Sequence, residues 1–170
     1  MQPEHATDGG AVASHFLELV RTIRTGTLVT HLPDGKLHGR PMSVAHVEED
    51  GALWFFTSVQ SGKVEELAND RRALVSLAEA DKYVVLNGEL ELVRDPAKAR
   101  SLWKEPFRVW FSGPDDPNLT LLRFQPEAGE YWNNAGAQGL KQALRAAKAY
   151  VKGEQLKDID DPGVHGKLHS

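Results

Sequence analysis

The sequence between positions 57 and 63 combines hydroxyl groups, a helix start and a lysine. Thr57 and Ser58 end a predicted strand, and Ser61 can cap a helix whose first turn contains Lys63. Backbone N–H groups and the helix dipole attract anions at such a position. A phosphate monoester carries roughly −1.5 to −2 charges at neutral pH, and the guanidinium of Arg40 on a neighbouring predicted strand is a suitable second cation. These residues indicate a phosphate site, although their spacing alone is equally consistent with a simple helix cap and a solvated lysine.

The familiar nucleotide-binding and hydrolase motifs are absent from the sequence. A P-loop needs a glycine five residues before Gly62, where Thr57 stands. The spaced glycines of a dinucleotide-binding fold follow none of the predicted strands. A serine nucleophile needs a sharp glycine-flanked elbow or an identifiable base, and neither can be picked out. Nucleotide triphosphate binding and hydrolysis are therefore not predicted.

The residues that usually bind metals give no predicted metal site. The chain contains no cysteine, which excludes disulfides, thiolate nucleophiles, iron–sulfur clusters and cysteine-based zinc sites. His165 and His169 have the four-residue spacing of paired ligands on a helix, but they lie in a glycine-containing tail without nearby acidic support. Any redox chemistry would therefore need a borrowed organic cofactor.

The composition is that of an ordinary soluble globular protein, with 41% hydrophobic and 26% charged residues in a chain of 170. Lys and Arg total 20 against 24 Asp and Glu, and the net charge of −4 offers no basic surface for a nucleic acid. No apolar run approaches the ~20 residues that cross a bilayer. The N-terminus is polar and reads as neither a signal nor a transit peptide. We therefore expect a cytoplasmic protein without nucleic-acid or membrane partners.

Short antiparallel strands joined by tight turns are predicted to position the phosphate site. Periodic apolar residues predict strands over residues 27–31, 37–47, 53–58, 73–78, 83–93 and 119–125. Helices are predicted over residues 11–23, 63–69, 95–104 and 143–151. Turn residues at Asp34-Gly35 and Asp50-Gly51 predict hairpins. Because the helices interrupt the strands rather than alternate with them, the pattern favours a small, mainly β barrel over a parallel sheet.

The length suits one domain and leaves little room for a second core. We expect a flexible N-terminus over residues 1–10, a barrel domain over residues 11–152 and a mobile, polar tail over residues 153–170. In the helix over residues 63–69, Val64, Leu67 and Ala68 are predicted to face the interior.

Several short segments follow one another in a characteristic order. They are residues 34–42 (DGKLHGRPM), 50–58 (DGALWFFTS), 61–63 (SGK), 110–111 (WF), 113–117 (GPDDP), 121–123 (LLR) and 130–132 (EYW). Their order resembles that of the general stress protein branch of the pyridoxamine 5′-phosphate oxidase-like family. The likeness covers about residues 17–150, and none of the segments is diagnostic alone.

The resemblance implies a six-stranded antiparallel split β-barrel with short flanking helices, which dimerises and binds one FMN at each end of the subunit interface. Its expected phosphate contacts agree with the anion site inferred from the residues themselves. The cofactor-binding residues that it implies are Arg40, Thr57, Ser58 and Lys63 at the phosphate, and Pro41, Met42, Ser43 and Phe56 along the flavin ring.

The sequence also departs from the family's pattern. True pyridoxamine phosphate oxidases carry a glutamine where Tyr83 stands, and nothing after Trp132 resembles their substrate-gripping Arg-Leu-His segment. Members of the general stress branch often carry Ser at the position of Val85 and Pro at that of Ser112. Oxidation of pyridoxine phosphate is therefore not expected, whereas FMN binding is.

Two functions are compatible with these residues. In the first, FMN accepts electrons from NAD(P)H or a similar reductant and passes them to an unidentified small molecule. Because the cofactor would carry the chemistry, this function would explain why no pair of acid and base residues can be recognised in the sequence. The alternative is a non-catalytic FMN-binding or flavin-sensing stress protein. Haem binding, known in related split barrels, is not predicted because no histidine stands out as an axial ligand.

The second half of the sequence is rich in aromatic residues, which predicts a homodimer because a small core does not readily hide so many tryptophans. Most of these residues are expected to pack in the core or the dimer interface. A flavin ring needs apolar walls, so Trp110 or Trp132 could border the cofactor.

Overall fold

The structure is a computed structural model that describes residues 8–133 and 165–169. It contains three α-helices, one 3₁₀-helix and seven strands in this part of the chain. In chain order these elements are α1 (Asp8–Thr22), β1 (Thr25–His31), β2 (Leu37–Val47), β3 (Leu53–Ser58), α2 (Gly62–Asn69), β4 (Arg72–Glu79), β5 (Lys82–Val93), α3 (Pro96–Leu102), the 3₁₀-helix (Glu105–Val109), β6 (Leu119–Asn133) and β7 (His165–His169).

Six antiparallel strands close into a barrel, as predicted. Their order is β3-β2-β1-β4-β5-β6, and β6 returns to pair with β3. The closing contact runs from Leu53 opposite Phe124 to Ser58 opposite Leu119. Over these residues the closing pair covers edges that an open sheet would leave unpaired.

The long strand β6 changes its partner along its length. Its first half pairs with β3 and its second half pairs with β7, while β5 follows its other edge throughout. The seventh strand, β7, therefore lies outside the closed ring. It falls within the tail that the sequence predicted to be mobile, and no periodicity in the sequence indicated it.

The barrel interior and one flanking helix form the main hydrophobic core. Phe16, Leu19, Val20 and Ile23 of the α1 region are almost fully buried against the strands, as their helical spacing predicted. A second, smaller cluster lies between β3, α3 and the 3₁₀-helix, and its buried members are Ala45, Trp54, Phe56, Ala99, Leu102, Phe107 and Leu121. The smaller cluster matters for function because it packs behind the candidate site.

Some boundaries differ from the prediction. Helix α1 begins at Asp8, three residues before the predicted start at residue 11. In α2 the buried residues are Glu66 and Leu67, while Ala68, which was predicted to face inward, is exposed. The helix predicted over residues 143–151 lies outside the described residues. None of the helices in the described part of the chain is long and apolar enough to cross a membrane.

Candidate functional site

The strands β2 and β3 separate at one end of the barrel. They pair only where residues 44–47 meet residues 53–55. Before that point, residues 37–43 pair with β1 alone, and residues 56–58 continue on β6. The edges that face each other across this split are therefore free to line a cavity.

A cavity of about 660 Å³ occupies the split. Seven of the eight site residues predicted from the sequence line it, and Arg40 is the exception. Its described lining consists of Thr25, Pro41, Met42, Ser43, Phe56, Thr57, Ser58, Ser61, Lys63, Phe107, Trp110 and Phe111. Its volume lies within the ~300–1,000 Å³ typical of small-molecule sites.

The start of α2 forms the polar end of the cavity. Ser61 caps the helix as predicted, because its hydroxyl accepts a hydrogen bond from the backbone N–H of Lys63 at 3.3 Å. Burial lowers the pKa of Lys63, the positive charge of Arg40 lowers it further, and Glu66 opposes both effects. Among the described lining residues, Lys63 is the only cation.

Arg40 lies beside the cavity in a buried ion pair. Its Nη2 is 2.5 Å from Oε2 of Glu66, 2.9 Å from the hydroxyl of Thr30 and 2.8 Å from Nδ1 of His38. The second cation expected at the phosphate is therefore paired with a carboxylate. This pairing fixes the guanidinium through one of its terminal nitrogens.

Glu66 is the central acceptor among Arg40, Thr30 and His38, and it is not among the site residues predicted from the sequence. Its Oε2 also accepts from the Thr30 hydroxyl, and its Oε1 lies 3.1 Å from Nδ1 of His38. Burial alone would raise the pKa of Glu66, but the hydrogen bonds from Thr30, Arg40 and His38 outweigh it and hold the pKa below its ordinary value. Its position three residues after Lys63, on the same turn of a predicted helix, was the available signal.

Two buried side-chain atoms of the described residues have no hydrogen-bond partner, and both belong to the predicted phosphate contacts. They are Nε of Arg40 and Oγ1 of Thr57. A buried polar group without a partner costs roughly 1–3 kcal/mol, so native proteins rarely keep one without a reason. Thr57 lines the cavity, so a phosphate oxygen bound there can accept a hydrogen bond from its hydroxyl. The residues present therefore fit a phosphate-bearing ligand.

Aromatic side chains form the apolar wall of the cavity. Phe56 packs edge-to-face on Phe107 with ring centroids 4.7 Å apart, and it lies 6.5 Å from the ring of Phe111. Trp110 lines the cavity while 65% exposed, so it lies at the mouth. Trp132 pairs with Tyr83 in the β5–β6 ladder and is not among the described lining residues.

The described residues show no grouping of three His, Asp or Glu side chains that could hold a metal ion. His165 and His169 lie at the two ends of strand β7, not on a helix. The chemistry of the cavity is thus that of hydroxyls, one ammonium and an aromatic wall.

Known proteins resemble this chain in both sequence and fold. A family model described as pyridoxamine 5′-phosphate oxidase-like matches residues 12–157. General stress protein 26 of Bacillus subtilis (strain 168) is 30% identical over 122 residues, which cover 68% of this chain and 84% of the relative.

Solved structures agree with this result. The general stress FMN/FAD binding protein of Xanthomonas citri superposes with a TM-score of 0.64 at 30% identity, over 75% of this chain and 92% of that one. General stress protein 26 of Bacillus anthracis str. Sterne superposes with a TM-score of 0.62 at 27% identity, over 69% of this chain and 93% of that one. Together with the closed six-stranded barrel, these matches show that the chain belongs to the general stress protein branch of the pyridoxamine 5′-phosphate oxidase-like family.

Proposed function

We propose that the cavity between β2 and β3 binds FMN. The observation that carries this proposal is the unpartnered buried hydroxyl of Thr57, which lines the cavity together with Lys63. Nε of Arg40, whose positive charge acts on Lys63, is unpartnered as well. The related protein of Xanthomonas citri, described as FMN/FAD binding, supports the same ligand class.

The polar and apolar ends of the cavity suit the two parts of FMN. Arg40, Thr57, Ser58 and Lys63 would hold the phosphate. At the other end, Phe56 and the 3₁₀-helix region offer an apolar wall for a flat ring. The remaining predicted ring contacts come from β2, namely Pro41, Met42 and Ser43.

The described residues that line the cavity include no carboxylate and no histidine. The protein's own contribution would therefore be to bind and orient the flavin and to exclude water from one face of it, rather than to transfer protons. When bound, FMN supplies reversible electron transfer that side chains lack. On this basis we propose a flavin-dependent oxidoreductase that acts on a small molecule with NAD(P)H or a similar reductant.

The lack of a proton-transfer group in the described lining also favours a second candidate, a non-catalytic FMN-binding or flavin-sensing protein. The two candidates differ in turnover. Steady-state oxidation of NAD(P)H by the FMN-loaded protein, with a panel of small acceptors, is expected for the oxidoreductase. The absence of oxidation above free FMN would favour the binding protein.

The binding itself is tested by fluorescence titration of the purified protein with FMN, together with an absorbance spectrum. We expect saturable quenching of flavin fluorescence with one FMN per chain. A failure to bind FMN at micromolar concentration would contradict the proposed function in both of its forms.

A further inference from the structure

The proposed phosphate end of the cavity contains an internal negative charge. Arg40 and Lys63 supply two cations, but Glu66 pairs with Arg40 and its side chain is only 6% exposed. The charges of Arg40, Lys63 and Glu66 together leave one positive charge uncompensated. A phosphate monoester would bring roughly −1.5 to −2 charges to it.

We propose that Glu66 is a specificity-determining residue, which limits the preference of the cavity for phosphorylated over unphosphorylated flavin by opposing the charge of Arg40. The inference rests on the proposed FMN site and concerns how strongly that site discriminates its ligands. Glu66 is not among the described residues that line the cavity. It would act on the phosphate by partly neutralising Arg40 and by the electrostatic repulsion between its carboxylate and the phosphate.

The geometry allows the charge of Glu66 to be separated from its shape. Oε2 accepts from Arg40 and Thr30, whereas Oε1 faces Nδ1 of His38. A glutamine in the same rotamer can keep its oxygen toward Arg40 and Thr30 and turn its amide N–H toward Nδ1 of His38. That nitrogen then accepts instead of donating, which it can also do toward Nη2 of Arg40 at 2.8 Å. Glu66→Gln therefore keeps an acceptor for Arg40 while removing the negative charge.

Glu66 also stabilises the ligand-free protein. Arg40 lowers the pKa of Lys63 and Glu66 opposes that effect, which indicates that the two cations repel each other and that the carboxylate offsets the repulsion. Without Glu66 the empty site would hold two uncompensated cations. The same substitution should therefore weaken the empty protein and strengthen phosphate binding.

The experiment compares FMN and riboflavin binding in wild type and Glu66→Gln by fluorescence titration, with melting temperatures of the ligand-free proteins. We expect about 5- to 30-fold tighter FMN binding, since a single charge at a partly buried site changes affinity by that order. Riboflavin affinity should stay within about twofold, and the ligand-free melting temperature should fall. A merely structural role for Glu66 would lower both the melting temperature and FMN affinity.

The adjacent Glu65 provides a matched control, because it lies on the same helix and is exposed. Glu65→Gln makes the same change in net charge, and we expect less than about a twofold effect on FMN affinity because water screens its charge. An equal gain in Glu65→Gln and Glu66→Gln would overturn the specific role of Glu66.

A second variant leaves the buried residue intact in case Glu66→Gln does not fold. His38 has a side chain that is 51% exposed and reaches Glu66 from outside. His38→Lys would neutralise Glu66 from the exposed side and should also tighten FMN binding, by about 3- to 10-fold. His38→Gln is its uncharged control and should not.

Unchanged or weaker FMN binding in a folded Glu66→Gln, or in His38→Lys, would overturn the inference. The proposed function would survive that result if wild type binds FMN and Lys63→Ala weakens it. Conversely, if wild type does not discriminate FMN from riboflavin and Lys63→Ala changes nothing, the phosphate site itself fails.

Discussion

Nε of Arg40 and Oγ1 of Thr57 lie in the interior without partners, although both are polar atoms that ordinarily require them. Thr57 is 3% exposed at the end of β3, opposite Thr120 of β6. The hydroxyl of Thr120, by contrast, donates to the carbonyl of Val93 at 3.2 Å. Two threonines that lie opposite each other on β3 and β6 thus differ, because the fold provides a hydrogen-bond partner for the hydroxyl of Thr120 but not for that of Thr57.

This difference predicts opposite effects of the same substitution. Thr57→Val should leave the ligand-free protein as stable or slightly more stable, because it removes an unsatisfied hydroxyl. It should weaken FMN binding by roughly 10- to 150-fold, because the hydroxyl would donate to a charged phosphate oxygen and such a hydrogen bond is worth roughly 1.5–3 kcal/mol. Thr120→Val, the matched control, should lower the melting temperature without changing FMN affinity. A destabilised Thr57→Val with normal FMN binding would contradict the assigned role.

Glu66 predicts a difference in acid stability. Its pKa in the folded protein is lowered from the ordinary value of 4.5, so it stabilises the fold above that value. The contribution is lost as the pH falls through the lower, folded-state pKa. Urea unfolding of the ligand-free proteins should therefore show a steeper loss of stability in wild type than in Glu66→Gln as the pH falls below about 4.5. Parallel pH curves would show that the carboxylate is not held in its ionised form.

Elements with strong local signals were predictable from the sequence. Alternating apolar residues and the turn glycines indicated the six barrel strands, and Gly35 and Gly51 have the positive φ values of 83° and 85° that such turns require. The cap at Ser61 also follows from local chemistry. The closing pair β3–β6 joins residues more than 60 positions apart, and no local pattern specifies such a contact.

Other features could not be predicted, for identifiable reasons. Helical spacing treats Glu66 as a solvated residue, and only the approach of Arg40 and Thr30 from two strands makes its burial possible. Strand β7 follows a long connection, and its pairing depends on the free edge of β6. The turn between β4 and β5 lacks glycine altogether, and Ala80 adopts a φ of 50° there.

The turn at Ala80 predicts a stabilising substitution. A left-handed backbone costs an L-residue about 1–2 kcal/mol, which glycine avoids. After the greater chain entropy of glycine is subtracted, Ala80→Gly should stabilise the protein by about 0.5 kcal/mol. Ala78→Gly, at an exposed position in the regular part of β4, should destabilise it by about 0.5–1 kcal/mol. Equal losses in both variants, measured by thermal unfolding, would contradict strain at the turn.

At the scale of the whole molecule, two large apolar side chains are exposed close to the cavity. Trp110 lies at its mouth at 65% exposure, and the adjacent Val109 is 79% exposed. Neighbouring exposed apolar groups of this kind are typical of protein interfaces. We therefore propose that two chains associate as a homodimer through a surface that includes this region.

The homodimer predicts a measurable change in mass. Sedimentation at micromolar concentration should give twice the chain mass for wild type, and Val109→Asp should shift the equilibrium toward monomer because it places a charge in an apolar interface. Ala97→Asp, an exposed control on α3, should remain dimeric. A wild-type protein that is monomeric under these conditions would contradict the proposal.

The most direct test of the proposed site compares FMN with riboflavin in wild type and Lys63→Ala. Riboflavin lacks the phosphate, so its affinity should hardly change, whereas a general folding defect would weaken both ligands. Loss of a charge-assisted hydrogen bond is worth roughly 1.5–3 kcal/mol. Fluorescence titration should therefore show FMN binding about 10- to 150-fold weaker in the variant. Equal FMN affinity in wild type and Lys63→Ala would contradict the phosphate site and, with it, the assignment of the cavity to FMN.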